Sequence, residues 1–295
     1  MRRIAVINQK GGVGKTTTTA NLGAALARAG SRVLLVDLDP QAHLSLHFGV
    51  ELSDTDPSVY DVLTNSTPIR DVARQVQENV TLVPADIDLA GADAALVSVT
   101  GREVLLREAL SAEEGEHDFL LIDGPPSLGV LTINALVAAT EVLIPLQAHF
   151  LALQGLGKLL ETVTLVRLRI NPALRVGGIV LCMHEATTRL AGEVVDDLTG
   201  FLDAARGTGS AWADARLYDA KIRRNIKLAE SCSFGQTVLD YAPRSNGAID
   251  YTRFAEEFAL PNSPAAPDSE SSPSAPVPAS GPTRNASAET AVVTP

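Results

Sequence analysis

A glycine-rich segment, Gln9-Lys10-Gly11-Gly12-Val13-Gly14-Lys15-Thr16-Thr17-Thr18, follows the short apolar run Arg3–Ile7 and leads at once into a helical pattern. Few local features constrain a fold more. Glycines let a backbone curl until its N–H groups converge on an anion, and the positive end of the following helix dipole faces the same point. In that arrangement Gly11, Gly12, Val13, Gly14, Lys15, Thr16 and Thr17 surround phosphates. Lys15 reaches the β and γ groups, and the Thr16 hydroxyl ligates Mg²⁺. The loop departs from the strict pattern, because Gln9 stands where its first glycine belongs.

The rest of the chain repeats the strand-then-helix rhythm. Arg32–Val36, Val80–Val83, Phe119–Ile122, Glu141–Ile144 and Val176–Leu181 are continuous apolar runs of the kind found in strands covered on both faces. Thr16–Ala29, Leu131–Ala139, Gln154–Arg169 and Leu190–Leu202 carry apolar residues at helical spacing. The expected fold is a doubly wound α/β P-loop NTPase: a mostly parallel seven- or eight-stranded sheet with helices on both faces. Asp203–Asp214 reads as a loop inserted before the last strand. Residues 261–295 are rich in Pro, Ser and Ala and hold almost no large apolar side chains, so a folded domain over 1–260 and a disordered tail over 261–295 are expected.

Two further carboxylate elements fall at strand ends. Asp37-Leu38-Asp39-Pro40-Gln41 follows the second strand, and Asp123 with Gly124-Pro125-Pro126-Ser127-Leu128-Gly129 follows Phe119–Ile122. Parallel α/β sheets bind ligands at this carboxyl edge. A carboxylate there, beside a phosphate loop, suits an ion that keeps much of its water.

Composition narrows the classes. The formal charge is −11, of which Asp268, Glu270 and Glu289 against Arg284 leave −2 in the tail and −9 in the rest. A surface that coats nucleic acid everywhere is excluded, but a local basic patch is not. One exists: Lys221–Lys227 holds Lys221, Arg223, Arg224 and Lys227. Two cysteines, Cys182 and Cys232, are too few for a disulfide scaffold. That cysteine usage suits a reducing cytoplasm, and no run reaches the roughly 20 apolar residues of a membrane span. His43 and His47 are four apart on an expected helix, where a polar face is the favoured reading over metal ligation. Trp212 and Tyr218 read as packing aromatics.

The loop with its second lysine, Lys10, resembles the deviant Walker A box of the ParA/MinD ATPases. Asp37-Leu38-Asp39-Pro40-Gln41 resembles the switch I of ParA proteins, and Asp123 with its following loop resembles Walker B and switch II. Asn134, Pro145, Gln147, Asn171-Pro172, Arg189-Leu190, Ile222–Glu230 and Tyr241–Ser245 extend the likeness over about residues 2–258, similar to chromosomal ParA/Soj proteins. The resemblance implies a Mg²⁺-dependent ATPase that is slow alone. ATP is sandwiched in a homodimer, Lys10 crosses to the partner's phosphates, Asp39 positions the attacking water, and Asp37, Asp123 and Thr16 serve the metal. It also implies ATP-state binding to nonspecific double-stranded DNA through Arg189, Lys221, Arg224 and Lys227. A ParB-like adaptor would stimulate hydrolysis, with a nucleoid-associated, membrane-free location. Met183 and Arg224 are expected near the base.

The chain begins at the first strand, so the N-terminal extension of larger plasmid ParA proteins, and operator-specific repression, are not expected. Arg223 stands where the family usually has proline, Lys227 where it has arginine, and Glu185-Ala186-Thr187-Thr188 lacks an arginine often found there. The principal alternative is a ParA-like positioner of protein cargo, such as a chemoreceptor array or microcompartment. A MinD-like membrane switch would need a basic amphipathic C-terminal helix, and an iron-protein-like electron-transfer ATPase would need cysteines in other surroundings.

Overall fold

The computed structural model describes residues 1–149, 152–185 and 189–260, with residues 152–154 and 189–191 described by their backbone alone. The expected tail, Thr187, Thr188 and the side chain of Arg189 lie outside the described residues. In chain order the elements are β1 (Arg2–Val6), α1 (Lys15–Arg28), β2 (Val33–Asp37), α2 (His43–His47), α3 (Val59–Thr64), α4 (Ile69–Val72), β3 (Arg74–Gln77), β4 (Val80–Val83), α5 (Ala92–Ala95), α6 (Leu105–Ala109), β5 (Phe119–Asp123), α7 (Val130–Ala138), β6 (Glu141–Gln147), α8 (Ala152–Arg169), β7 (Arg175–Cys182), α9 (Arg189–Ala205), β8 (Arg216–Leu217), α10 (Ile226–Ser233), α11 (Val238–Tyr241) and α12 (Asn246–Ala259).

The eight strands form one sheet in the order β3-β4-β2-β5-β1-β6-β7-β8. Only the β3–β4 pair is antiparallel. β1 lies between β5 and β6, so the strand that carries the glycine loop is also where the chain's winding changes direction. A crevice opens at such a point because the adjoining helices leave to opposite faces.

Two cores explain the uninterrupted apolar runs. Ala5, Leu34, Val36, Leu120 and Ile122 pack on one face with residues of α3, α7 and α8. Their alternates Ile4, Val6, Val33, Leu35 and Leu121 pack on the other with α1, α11 and α12. Each strand residue thus has a buried partner whichever way it points, which removes the polar alternation of a one-sided sheet.

The expected strands and crossover helices are present with ends shifted by up to about three residues, the usual fraying between pattern and hydrogen bonding. One strand escaped the pattern, and the last strand, expected after Asp214, is short. β3, Arg-Gln-Val-Gln, is a polar edge, and β8 has two residues. The expected loop at Asp203–Asp214 starts later, because α9 runs to Ala205. It is also bound to the sheet: the Val176 amide donates to the Ala211 carbonyl at 2.7 Å. Trp212 stacks on Phe201 with centroids 6.2 Å apart, and Tyr218 packs edge-on against Phe254 at 4.9 Å.

Candidate functional site

Asn8 sets the loop. It is buried, its Nδ2 donates to the Pro145 carbonyl of β6 at 2.7 Å, and its Oδ1 accepts the Lys10 amide at 3.0 Å. This fastens the start of the turn to the neighbouring strand. Gly12 and Gly14 then adopt φ values of +72° and +92°, a region closed to most side chains. Val13 turns inward, while Gly11, Gly12, Gly14, Thr16 and Thr17 line a cavity of about 920 Å³. The first turn of α1 contains no acidic residue to compete for an anion.

The two lysines of the loop differ in surroundings. Lys15 is buried in the cavity wall and its Nζ donates to the Lys10 carbonyl at 3.4 Å. Burial lowers its pKa, and the nearby charges of Asp123 and Asp39 oppose that. Lys10 is exposed, with its Nζ 2.5 Å from Nε2 of His149.

Three carboxylates gather on the far side. Asp37 and Asp123 are paired residues of adjacent strands, and both are fully buried. Thr19 Oγ1 donates to Asp123 Oδ1 at 3.3 Å, whereas Asp123 Oδ2 is buried with no hydrogen-bond partner. Burial, then the charge of Asp37, pushes the Asp123 carboxyl well up; the Thr16 hydroxyl and Lys15 oppose the shift. Asp37 is better served. Its Oδ2 accepts from the Ser45 amide at 2.9 Å and the Ser45 hydroxyl at 2.8 Å, and its Oδ1 from the Asp39 amide at 3.2 Å. Burial still raises it to about 6. Asp39 is nearly buried, borders the cavity, and accepts the Gln41 amide at 3.0 Å.

This donor set fits a hard divalent cation. The orphaned Asp123 oxygen beside Thr16 supplies acceptors, and a cation would offset the burial that chiefly raises both aspartates. Among the described residues no three His, Cys, Asp or Glu side chains form a metal cluster of their own. An ion here therefore depends on ligand oxygens, as Mg²⁺ at phosphates does.

The opposite wall comes from the end of β7 and the approach to α10. Met183 holds φ +51°, and it lines the cavity with Ile222, Arg223, Arg224, Asn225 and Ile226. The basic patch differs from a row of unpaired cations. Arg223 Nη2 lies 2.6 Å from Asp250, and its amide donates to the same carboxylate. Arg224 pairs with Glu185 at 2.8 Å, and Lys227 with Glu230 at 2.6 Å. Lys221 is half-buried, and its charge helps to lower the pKa of His184, after burial.

Other residues that the sequence singled out are structural. Asn134 is buried, and its side chain pairs with the Leu106 amide and the Arg102 and Val130 backbone carbonyls. Asn171 donates to the carbonyls of Leu136, Val137 and Ala139. His47 departs from the expected polar helix face: it is 1% exposed, lines the cavity, and its Nε2 has no partner. Burial lowers it to about 4. The helix turns this face inward because α2 packs between α1 and α10. Asn8, Ser45 and Tyr251, whose hydroxyl meets Thr18 Oγ1 at 3.1 Å, were not singled out from sequence. Only the two-residue offset of Asn8 from the loop carried a local signal.

A doubly wound sheet with a phosphate loop at its switch point, buried acids opposite, and one shared cavity defines a P-loop nucleotide-binding ATPase fold. A family model described as an AAA domain matches residues 1–176. The sporulation initiation inhibitor protein Soj of Bacillus subtilis is 43% identical over 87% of this chain and 97% of its own length. The chromosome-partitioning ATPase Soj of Thermus thermophilus is 44% identical over 87% of this chain and 95% of its own. A solved structure titled cobyrinic acid a,c-diamide synthase, from Mycobacterium smegmatis with bound ADP and magnesium, superposes with a TM-score of 0.72 at 38% identity, covering 87% of this chain and 93% of that one. The chain belongs to the ParA/Soj family of partition ATPases, within the ParA/MinD superfamily. Among the described residues no helix is long and apolar enough to cross a membrane.

Proposed function

We propose that this chain is an ATP-dependent dimerising switch that binds nonspecific double-stranded DNA in its ATP state and segregates chromosome or plasmid DNA. A ParB-like adaptor stimulates hydrolysis. The observation that carries the reading is a single cavity: the phosphate loop, Asp39 and the Ile222–Ile226 segment line it together, so the loop and the basic segment face each other across one space.

Within it, the backbone of Gly11–Thr17 and the Lys15 ammonium hold the phosphates. Mg²⁺, when bound, neutralises charge there; Thr16 and the free Asp123 oxygen would hold it. Asp37 serves the ion indirectly, since its oxygens already anchor Ser45 and the Asp39 amide. Asp39 orients the attacking water, and positioning is most of what a loose phosphoryl-transfer transition state requires. Lys10, exposed beside the loop, acts on the nucleotide of a second copy. Met183 and Arg224 border the base.

Arg189, Lys221, Arg224 and Lys227 are the proposed DNA contacts. Arg224 and Lys227 must exchange a carboxylate for a phosphate to make them. Eight phosphates per dimer give a log–log salt slope of about −7, and a monomer half that. Amide synthesis, suggested by the name of the mycobacterial structure, finds less support if a thiol is to release the ammonia. Both cysteines line the cavity and burial raises both thiols, that of Cys182 to about 12.

The test is binding to nonspecific duplex DNA with ATP, ADP or no nucleotide across a salt series. Steep salt dependence confined to ATP supports the switch. Absence of binding in every state, despite ATP-driven dimerisation, removes the nucleoid reading and favours a protein cargo or membrane.

A further inference from the structure

Lys10 and His149 lie 139 residues apart in sequence, yet their side chains meet at 2.5 Å. The backbone at both ends of this contact is fixed by one residue: Asn8 accepts the Lys10 amide and donates to Pro145, four residues before His149. An ammonium has only hydrogens to offer, so His149 accepts at Nε2 and carries its proton on Nδ1. Burial and the Lys10 charge both hold the imidazole below its ordinary pKa, in keeping with a neutral acceptor. Asp37, Asp39 and Asp123 would attract a free lysine, but Lys15 already occupies the wall beside them. Lys10 is drawn instead to the segment after β6.

We propose that His149 is a positioning residue for Lys10, parking its ammonium against its own subunit until a second copy of the chain arrives. This rests on the reading that Lys10 acts across a dimer. Parking keeps the amine away from its own nucleotide and sets a cost on dimerisation, because the contact must break before Lys10 crosses.

The test has two parts. Histidine side-chain nitrogen NMR of the nucleotide-free chain should show His149 as the Nδ1–H tautomer, with an Nε2 shift that moves in Lys10→Ala. A His149 signal unchanged by Lys10→Ala overturns the proposal. Sedimentation with ATP then compares the parent with His149→Ala, His149→Gln, Lys10→Ala and the His149/Lys10 double variant. His149→Ala should tighten the ATP dimer about three- to tenfold, the range expected for one lost hydrogen bond, with KM for ATP unchanged. His149→Gln, which keeps an acceptor, should stay near the parent, and in the Lys10→Ala background His149→Ala should have no effect. An equal effect in both backgrounds overturns the proposal. Failure of the parent to dimerise with ATP removes the cross-dimer reading instead, and the NMR comparison still decides whether the contact exists.

Discussion

Asp37 and Asp123 stand at paired positions on the last residues of β2 and β5, both fully buried, and only one is fully hydrogen-bonded. The sheet register brings two carboxylates together away from the surface. Burial, then the charge of Asp37, pushes the Asp123 carboxyl up to about 8, so without a cation it is largely protonated at neutral pH and Asn replaces it with little change of charge. We expect Asp123→Asn to hold nucleotide-free stability within about 1 kcal/mol of the parent, while losing the extra stabilisation that ATP gains from Mg²⁺. Thermal unfolding with ATP, with and without Mg²⁺, checks both parts. An undiminished Mg²⁺ increment would remove Asp123 from the metal site.

The loop and switch residues separate binding from turnover. Lys15→Ala should abolish nucleotide binding, since the only buried ammonium in the cavity wall among the described residues is lost. Lys10→Ala should bind ATP normally and lose hydrolysis. Asp39→Ala should bind ATP and stay dimeric on DNA without turning over. Normal hydrolysis by Asp39→Ala would show that another group orients the water.

His47 makes stability depend on pH in a defined window. Its pKa is about 4 in the folded chain, against an ordinary value of 6.5. Between those values the unfolded chain takes up a proton that the folded chain does not. Stability is therefore full above pH 6.5 and falls as the pH drops toward 4, by about 3 kcal/mol in total. Urea unfolding at pH 7.5 and pH 5 should show the loss in the parent, and a smaller one in His47→Gln.

Within the basic segment, Arg223 and Arg224 should behave differently. Arg223 meets the largely buried Asp250 but is itself half exposed, so Arg223→Ala strands a carboxylate that water can reach and should cost about 1 kcal/mol of stability. The Arg224–Glu185 pair is exposed and worth little. Arg224→Glu should leave the unfolding midpoint nearly unchanged and weaken ATP-state DNA binding at low salt. If DNA binding is unmoved, Arg224 does not contact phosphate.

Much of the site was legible because its signals are local. A glycine-rich turn requires its φ values within a few residues, and an aspartate at the end of an apolar run marks a strand edge. Continuous apolar runs follow from a sheet buried on both faces. The polar edge strand β3 was not legible, since it depends on a neighbour already in place.

What the sequence by itself determined is the phosphate loop, the strand-helix alternation and the presence of acids at the same sheet edge. Tertiary structure alone decided which charges are available. It set Arg223 on Asp250, Lys10 on His149 and Asp37 on Ser45, left one oxygen of Asp123 bare, and turned His47 inward. The reason is physical: backbone geometry is governed by nearest neighbours, whereas the state of a charge is governed by burial and by partners that only the folded chain brings near.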